Sequence, residues 1–357
     1  MWPLLRDSKG WEKKYDIKMK KIVLYISFII IALGSCTERK SKVKYFKTSF
    51  VNDVLLPTTP VKDQGRSPLC WIYAMLATIE TNHIAEGDSL NLSVDYAARM
   101  WLADRTQHHY LAADGRQISM RGMMTMVPHV MERYGMMTYD SYSNGTPLNY
   151  NVLTRRMTLM ADRSRSLSDV NDESERLLDE HIGYLPPAVH LYGATYTPQE
   201  FAHSLCREGD YVALTSFTHH PFGSRFVLET ADNMMSDTFL NVPLDSLMSI
   251  ITSSLRAGHA VCWEGDTSEK GFNFHGGTAT MPDGYPCTQS SRQRDYERRL
   301  TTDDHCMALI GMAHDRHGRR FFIAKNSWGT KNPYGGLMYL SEEYVRMKTV
   351  AVMTKSF

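Results

Sequence analysis

From Cys70 to Ala85 the chain is apolar on nearly every side: only Glu80, Asn82 and His83 are strongly polar. A helix with no solvent face has to be enclosed, so this stretch predicts a central buried helix with the rest of the chain folded round it. Gly87 stands just past Glu86, where a helix of this kind ends. With 357 residues the chain can supply the enclosure, as one large domain or two lobes. The formal net charge is only +1, which provides no basic field for nucleic acid, and no nucleic-acid partner is expected.

The first 36 residues read differently. Met19-Lys20-Lys21 precedes an apolar run from Ile22 to Leu33, then Leu33-Gly34-Ser35-Cys36. A short basic region, an apolar core and small residues before a cysteine make an export signal. The end of this segment resembles a bacterial lipobox, which implies lipidation of Cys36 and a tether to the cell-envelope membrane. Residues 1–18 have no signal character and lie ahead of a second candidate start at Met19. Residues 37–50, polar and rich in Lys, Ser and Thr, are read as the tether, and residues 51–357 as the folded domain.

Along that domain, Phe50–Leu56 is strand-like. Asn91–Arg105 and Met123–Tyr134 carry helical patterns, the second closing at Gly135. The charged stretch 152–182, with Leu and Met at helical spacing, predicts an antiparallel helix pair inserted before Pro186-Pro187. Thr197-Pro198-Gln199-Glu200 is a helix start. After Gly209 strands dominate: Tyr211–Phe217, Phe226–Glu229, Phe239–Val242, Ala260–Trp263, Cys306–Ala313, Phe321–Lys325, Gly336–Leu340 and Thr349–Met353. A helix over Pro243–Arg256 interrupts them, and residues 271–293 are expected to be irregular. The fold class is therefore α+β, with a helical half followed by a β-rich half.

The central helix begins with a thiol. Cys70 at a helix N-terminus meets unpaired N–H groups and the positive dipole end, both of which favour thiolate. Gln64, six residues upstream in a polar turn, can bring an amide donor beside that sulfur. A nucleophilic thiol also needs a base and something to orient it. Asp315-Arg316-His317-Gly318 has the composition of a hairpin turn. Pairing the flanking strands about that turn brings His305 within a residue or two of Asn326. An Asn carbonyl there can accept from the imidazole and fix the ring, and Trp328 can cover that bond from water. Cys206, Cys262, Cys287 and Cys306 show no paired spacing for zinc, so no metal or other cofactor is expected. Disulfides among them and buried free thiols both remain open.

Gln64-Gly65-x4-Cys70-Trp71, Asp304-His305 and Asn326-Ser327-Trp328-Gly329 together resemble the papain-like cysteine peptidases. Tyr134-Gly135-Met136-Met137, Leu185-Pro186-Pro187, Asn241-Val242-Pro243-Leu244-Asp245 and Ala260 to Asp266 follow in the order of the bleomycin hydrolase and aminopeptidase C branch. The resemblance covers about residues 55–353. It implies a two-lobed fold with a helical lobe carrying the cysteine helix, a β-barrel-like second lobe and a helical insertion. It also implies hydrolysis of a peptide or protein substrate, with Cys70 as nucleophile, His305 as base and acid, Asn326 as orienter, and Gln64 with the Cys70 N–H as oxyanion hole. Gly122, Trp71, Trp328 and Asp304 are the implied substrate-binding positions.

Three departures qualify the carry-over. Pro68 and Leu69 replace the family's usual residues before Cys-Trp, and Arg121 stands where a Gly-Gly pair is expected. After the strand expected at Thr349–Met353 only four residues remain, which span at most about 14 Å. The branch's C-terminal gating arm is thus expected to be missing, leaving a cleft open to endopeptidase or broad exopeptidase action. A monomer is expected. Two other classes compete: a non-catalytic envelope binding protein with a papain-like shell, which would lack thiolate reactivity, and another Cys-His transfer enzyme, which would not explain Gln64 together with Asn326-Ser327-Trp328-Gly329.

Overall fold

The computed structural model describes residues 48–113 and 115–356. The expected export signal, Cys36 and most of the expected tether lie outside the described residues. Among these, no helix is long and apolar enough to cross a membrane.

The central helix runs over Cys70–Ala85, and eleven of its sixteen residues are buried, Glu80 and Asn82 included. Five further helices surround it in the first half: Val94–Ala112, Met126–Tyr134, Tyr150–Ala161, Leu167–His181 and Pro198–Leu205. Their starts follow local chemistry. Ser93 caps the first of them by accepting from Tyr96 N–H, so this helix begins at Val94 and not at Asn91. Thr197 and Glu200 form a full capping box, with Pro198 in the first turn. Tyr150–Ala161 and Leu167–His181 are the inserted pair.

Gly135 ends the Met126–Tyr134 helix at φ +84°, against the Pro198–Leu205 helix. A Cβ there would lie 2.3 Å from the Pro198 carbonyl carbon. Gly135→Ala is therefore expected to lower stability by more than the ~1–2 kcal/mol that left-handed backbone alone costs. A urea midpoint within error of wild type would contradict this.

The β-rich half forms one eleven-stranded sheet. From one edge its order is Arg225–Val227, Thr238–Asn241, Tyr211–Thr215, Thr349–Lys355, Val261–Gly265, His305–Asp315, Arg320–Lys325, Leu337–Ser341, Thr278–Ala279 and Phe272–Asn273. The long strand His305–Asp315 organises it. Its first five residues pair with Val261–Gly265, its last five with Phe50–Leu55, and its other edge with Arg320–Lys325. The register shifts at Gly311, whose Cβ position is occupied by Val54 O at 2.3 Å.

Two expectations change and one open point is settled. The stretch 271–293 holds two short strands and the start of a helix, Gln289–Glu297, capped by Thr288. The last strand continues to Lys355 instead of stopping at Met353. Cys206, Cys262, Cys287 and Cys306 are free thiols, so no disulfide forms among them.

Two apolar clusters fill the interior. One is built mainly from the helices around Trp71, Trp101 and Met131, the other mainly from the strands and the Leu244–Arg256 helix. The central helix lies where they meet and packs along the His305–Asp315 strand.

Candidate active site

The segment just ahead of the thiol is stitched to the segment after the hairpin. Gln64 N–H donates to Ser327 O at 2.8 Å and Gly329 N–H to Lys62 O at 3.1 Å, with Asp63 bridged to Trp328 between them. Ser327 Oγ donates to Gln64 Oε1 at 2.5 Å, while Gln64 Nε2 donates one hydrogen to Ser67 O at 2.9 Å. The second amide hydrogen remains for a ligand.

Cys70 is the first residue of the central helix and is partly buried. No side chain caps this helix end, so its N-terminal N–H groups and dipole are left for the thiolate. His305 opens its strand, and its Nε2 lies 2.7 Å from Asn326 Oδ1. Asn326 Oδ1 also accepts from Ser327 N–H at 2.7 Å, which fixes the amide with its oxygen toward the ring. With Nε2 donating to Asn326, His305 presents Nδ1 to the sulfur. Trp328 lies over His305, ring centroids 4.6 Å apart, and is itself walled by the edges of Phe272 and Phe274.

The Cys70 thiol is held well below its ordinary range. The largest cause is a hydrogen bond from the Cys306 side chain. Burial opposes it, and the His305 hydrogen bond, the imidazolium charge and the Cys306 N–H add to it. Cys306 pays the reciprocal cost: burial and the thiolate beside it push its own thiol well above range. The pair is thus one thiolate and one neutral thiol.

The expected substrate-binding residues separate into two groups. Gly122 is buried, and a Cβ there would come within 2.8 Å of Met126 Cε and 3.0 Å of Trp71 Cε2, so only glycine lets this strand of backbone lie so close. Trp71 is fully buried and donates from Nε1 to Met120 O at 2.9 Å. It therefore supports the Met120–Gly122 backbone from below, and offers no surface to a substrate. Trp328 is partly exposed beside His305, while Asp304 is exposed and accepts from Ser268 N–H and Thr302 Oγ. Arg121 is 57% exposed and paired with Asp232.

Sequence reasoning missed Ser327 as the link between Gln64 and the Asn326 segment, and Cys306 as a donor to the Cys70 thiol.

A profile of the Peptidase C1-like family matches residues 190–356. Aminopeptidase C of Streptococcus thermophilus is 23% identical over 390 aligned positions, covering 90% of this chain and 85% of that protein. Aminopeptidase G of Lactobacillus delbrueckii subsp. lactis is 23% identical over 355 positions, covering 82% and 79%. In structure the chain is similar to PepW from Lactobacillus rhamnosis, with a TM-score of 0.70, 16% identity, and coverage of 100% of this chain and 93% of that one. The family match over residues 190–356 and the aminopeptidase relatives support a papain-like cysteine peptidase of the aminopeptidase C and bleomycin hydrolase branch, and the chain shares the fold of PepW.

Proposed function

We propose that this protein is an exported, lipid-anchored cysteine peptidase that acts through Cys70, His305 and Asn326 in a cleft open to more than a free chain end. The observation that carries the chemistry is a single one: a lowered thiol at a helix start, hydrogen-bonded by an imidazole whose other nitrogen is fixed by Asn326 at 2.7 Å.

In this mechanism the Cys70 thiolate attacks the scissile carbonyl carbon and forms the C–S bond. The developing oxyanion is held by the free hydrogen of Gln64 Nε2 and the Cys70 N–H. His305, as imidazolium, protonates the amine as the C–N bond breaks, leaving a thioester. Water then attacks the thioester, His305 takes its proton, and the acid product leaves as the thiol is restored. Gln64→Ala is expected to lower kcat about 10²–10³-fold with a much smaller change in KM. A loss below tenfold would remove Gln64 from the oxyanion site.

Lys355 and Ser356 lie away from the thiol. Lys355 pairs with Glu86, and Ser356 bonds Gly209 and Asp210. Glu86 caps the central helix at the end opposite Cys70, about 24 Å along its axis. The relatives' names as aminopeptidases support peptide substrates. Mass-spectrometric mapping of cuts in a mixed peptide library is the test. Internal or multi-residue cuts are expected, and removal of single N-terminal residues alone would overturn the open cleft.

The anchor is supported by Met19-Lys20-Lys21, the apolar run to Leu33 and the small residues before Cys36. The wild-type protein is expected to enter the detergent phase in a cloud-point partition and Cys36→Ala the aqueous phase. The same partition by both would reject lipidation. The enzyme is taken to act as a monomer.

A further inference from the structure

Close to the reacting thiol lie two carboxyl groups that the catalytic scheme does not use. Glu264 stands on the Val261–Gly265 strand directly opposite Cys306 and is 1% exposed. Its Oε2 takes only a long bond from Met124 N–H, 3.4 Å, and its Oε1 has no donor. Asp303, two residues before His305, meets Glu264 side chain to side chain, and its buried Oδ2 takes no bond from any other group. Two carboxyl groups in contact hold one proton between them. Glu264 keeps it, since burial and the neighbouring Asp303 push it well above its ordinary range.

Asp303 is left as the charged member, and it forms part of the wall of a cavity of about 660 Å³. The other carboxylates on that wall are Asp232, Glu229 and Glu297. Two cations share that wall, Arg121 and Arg299, and Arg121 bonds Asp232 and, at 3.4 Å, the Asp303 backbone carbonyl. Its Nε donates to both Asp232 oxygens at 2.9 Å, and its Nη2 lies 2.7 Å from Asp232 Oδ2. The thiolate itself contributes to the field at both Glu264 and Asp303, which ties the pair to the reacting centre.

We propose that this cavity is a substrate subsite for a positively charged group, recognised by Asp303 with Glu264 behind it: the protonated α-amine of a peptide or a Lys or Arg side chain. This rests on Cys70 being the nucleophile. A cation there supplies a charged donor to the Asp303 carboxylate, whereas Arg121 donates to Asp232 and to the Asp303 backbone carbonyl. Such a pocket selects by leaving the carboxylate unpaired when a neutral group occupies it.

The test compares kcat/KM for matched fluorogenic peptides in two arms. One arm sets a free against an acetylated N-terminus. The other sets Lys against norleucine at each of the two residues preceding the cut. Wild type is expected to favour the charged member of at least one arm by about tenfold, and the arm that responds identifies the source of the cation. Asp303→Asn and the isosteric Glu264→Gln are expected to bring that ratio toward one. Burial raises Asp303 to about 6, with Asp232 and the Cys70 thiolate adding, and Glu264 and Arg121 opposing. The wild-type ratio should therefore grow as pH rises through about 6, a readout that needs no variant. Equal rates in both arms for wild type, or a ratio that survives in both variants, would overturn the subsite. Epoxide titration of Cys70 on the same preparations separates the two readings. A labelled thiol without charge preference rejects the subsite alone, and an unlabelled thiol rejects the nucleophile.

Discussion

Cys70→Ala is expected to abolish peptide hydrolysis, by on the order of 10⁴-fold or more, and to remove covalent labelling by an epoxide thiol reagent. The size of the effect follows from the division of labour at the site. Gln64 and the residue-70 N–H would still polarise a bound carbonyl, and His305 would still sit on Asn326, but no atom would be present to form the thioester. Cys70 is only partly buried at the edge of the helical cluster, so the variant should still fold, which a urea midpoint checks. Wild-type activity should persist into weakly acid solution, because the thiol is held well below its ordinary range by Cys306 and His305. Residual labelling or turnover in the folded variant would place the nucleophile elsewhere, and loss of activity with loss of fold would assign Cys70 to structure.

Glu80→Leu should be the most damaging change away from the reacting atoms, at about 3–5 kcal/mol of stability. Glu80 is 1% exposed in the middle of the central helix. It accepts from Thr59 Oγ at 2.5 Å, Lys62 Nζ at 2.9 Å and Leu92 N–H at 2.7 Å. Lys325 Nζ stands 3.8 Å away, itself 4% exposed and bonded to Thr58 and Thr59. Burial pushes Lys325 down to about 8, and the Glu80 charge is what opposes that shift while Lys62 adds to it. Removing the carboxylate strands the buried Lys325 ammonium and takes the counter-charge from the part-exposed Lys62. Lys325 immediately precedes Asn326, so activity should fall along with stability. Denaturant unfolding provides the check. A midpoint unchanged from wild type would show the cluster to be dispensable, and Glu80→Leu with Lys325→Leu together should recover part of the loss.

What could be read from the sequence was whatever rests on apolar spacing or on an uncommon residue set. The central helix, the inserted pair at Tyr150–Ala161 and Leu167–His181, and the strand that opens at His305 all carry apolar periodicity, and all are present. The hairpin about residues 315–318 brought His305 and Asn326 together as its register required. The Gln289–Glu297 helix was invisible for a physical reason: its buried residues are Ser291, Arg292, Gln293 and Asp295, so no apolar stripe marks it. Arg292 is enclosed because its guanidinium has local partners, donating to Ser216 O and Arg346 O and stacking on Phe217. The acidic pair was hidden for a related reason. Glu264 sits in a run that reads as an ordinary buried strand, and nothing local says that Asp303 will face it.

The Phe50–Leu55 strand, at the start of the described chain, pairs with residues 311–315, and the thiol at 70 waits for a base at 305. During synthesis Cys70 is therefore made long before His305, and the hairpin that brings Asn326 to His305 is among the last segments to appear. Closing so long a loop makes the reactive pair a late event in folding. The emerging chain carries a thiol without a base, and stays chemically quiet by topology for most of its time as an incomplete polypeptide.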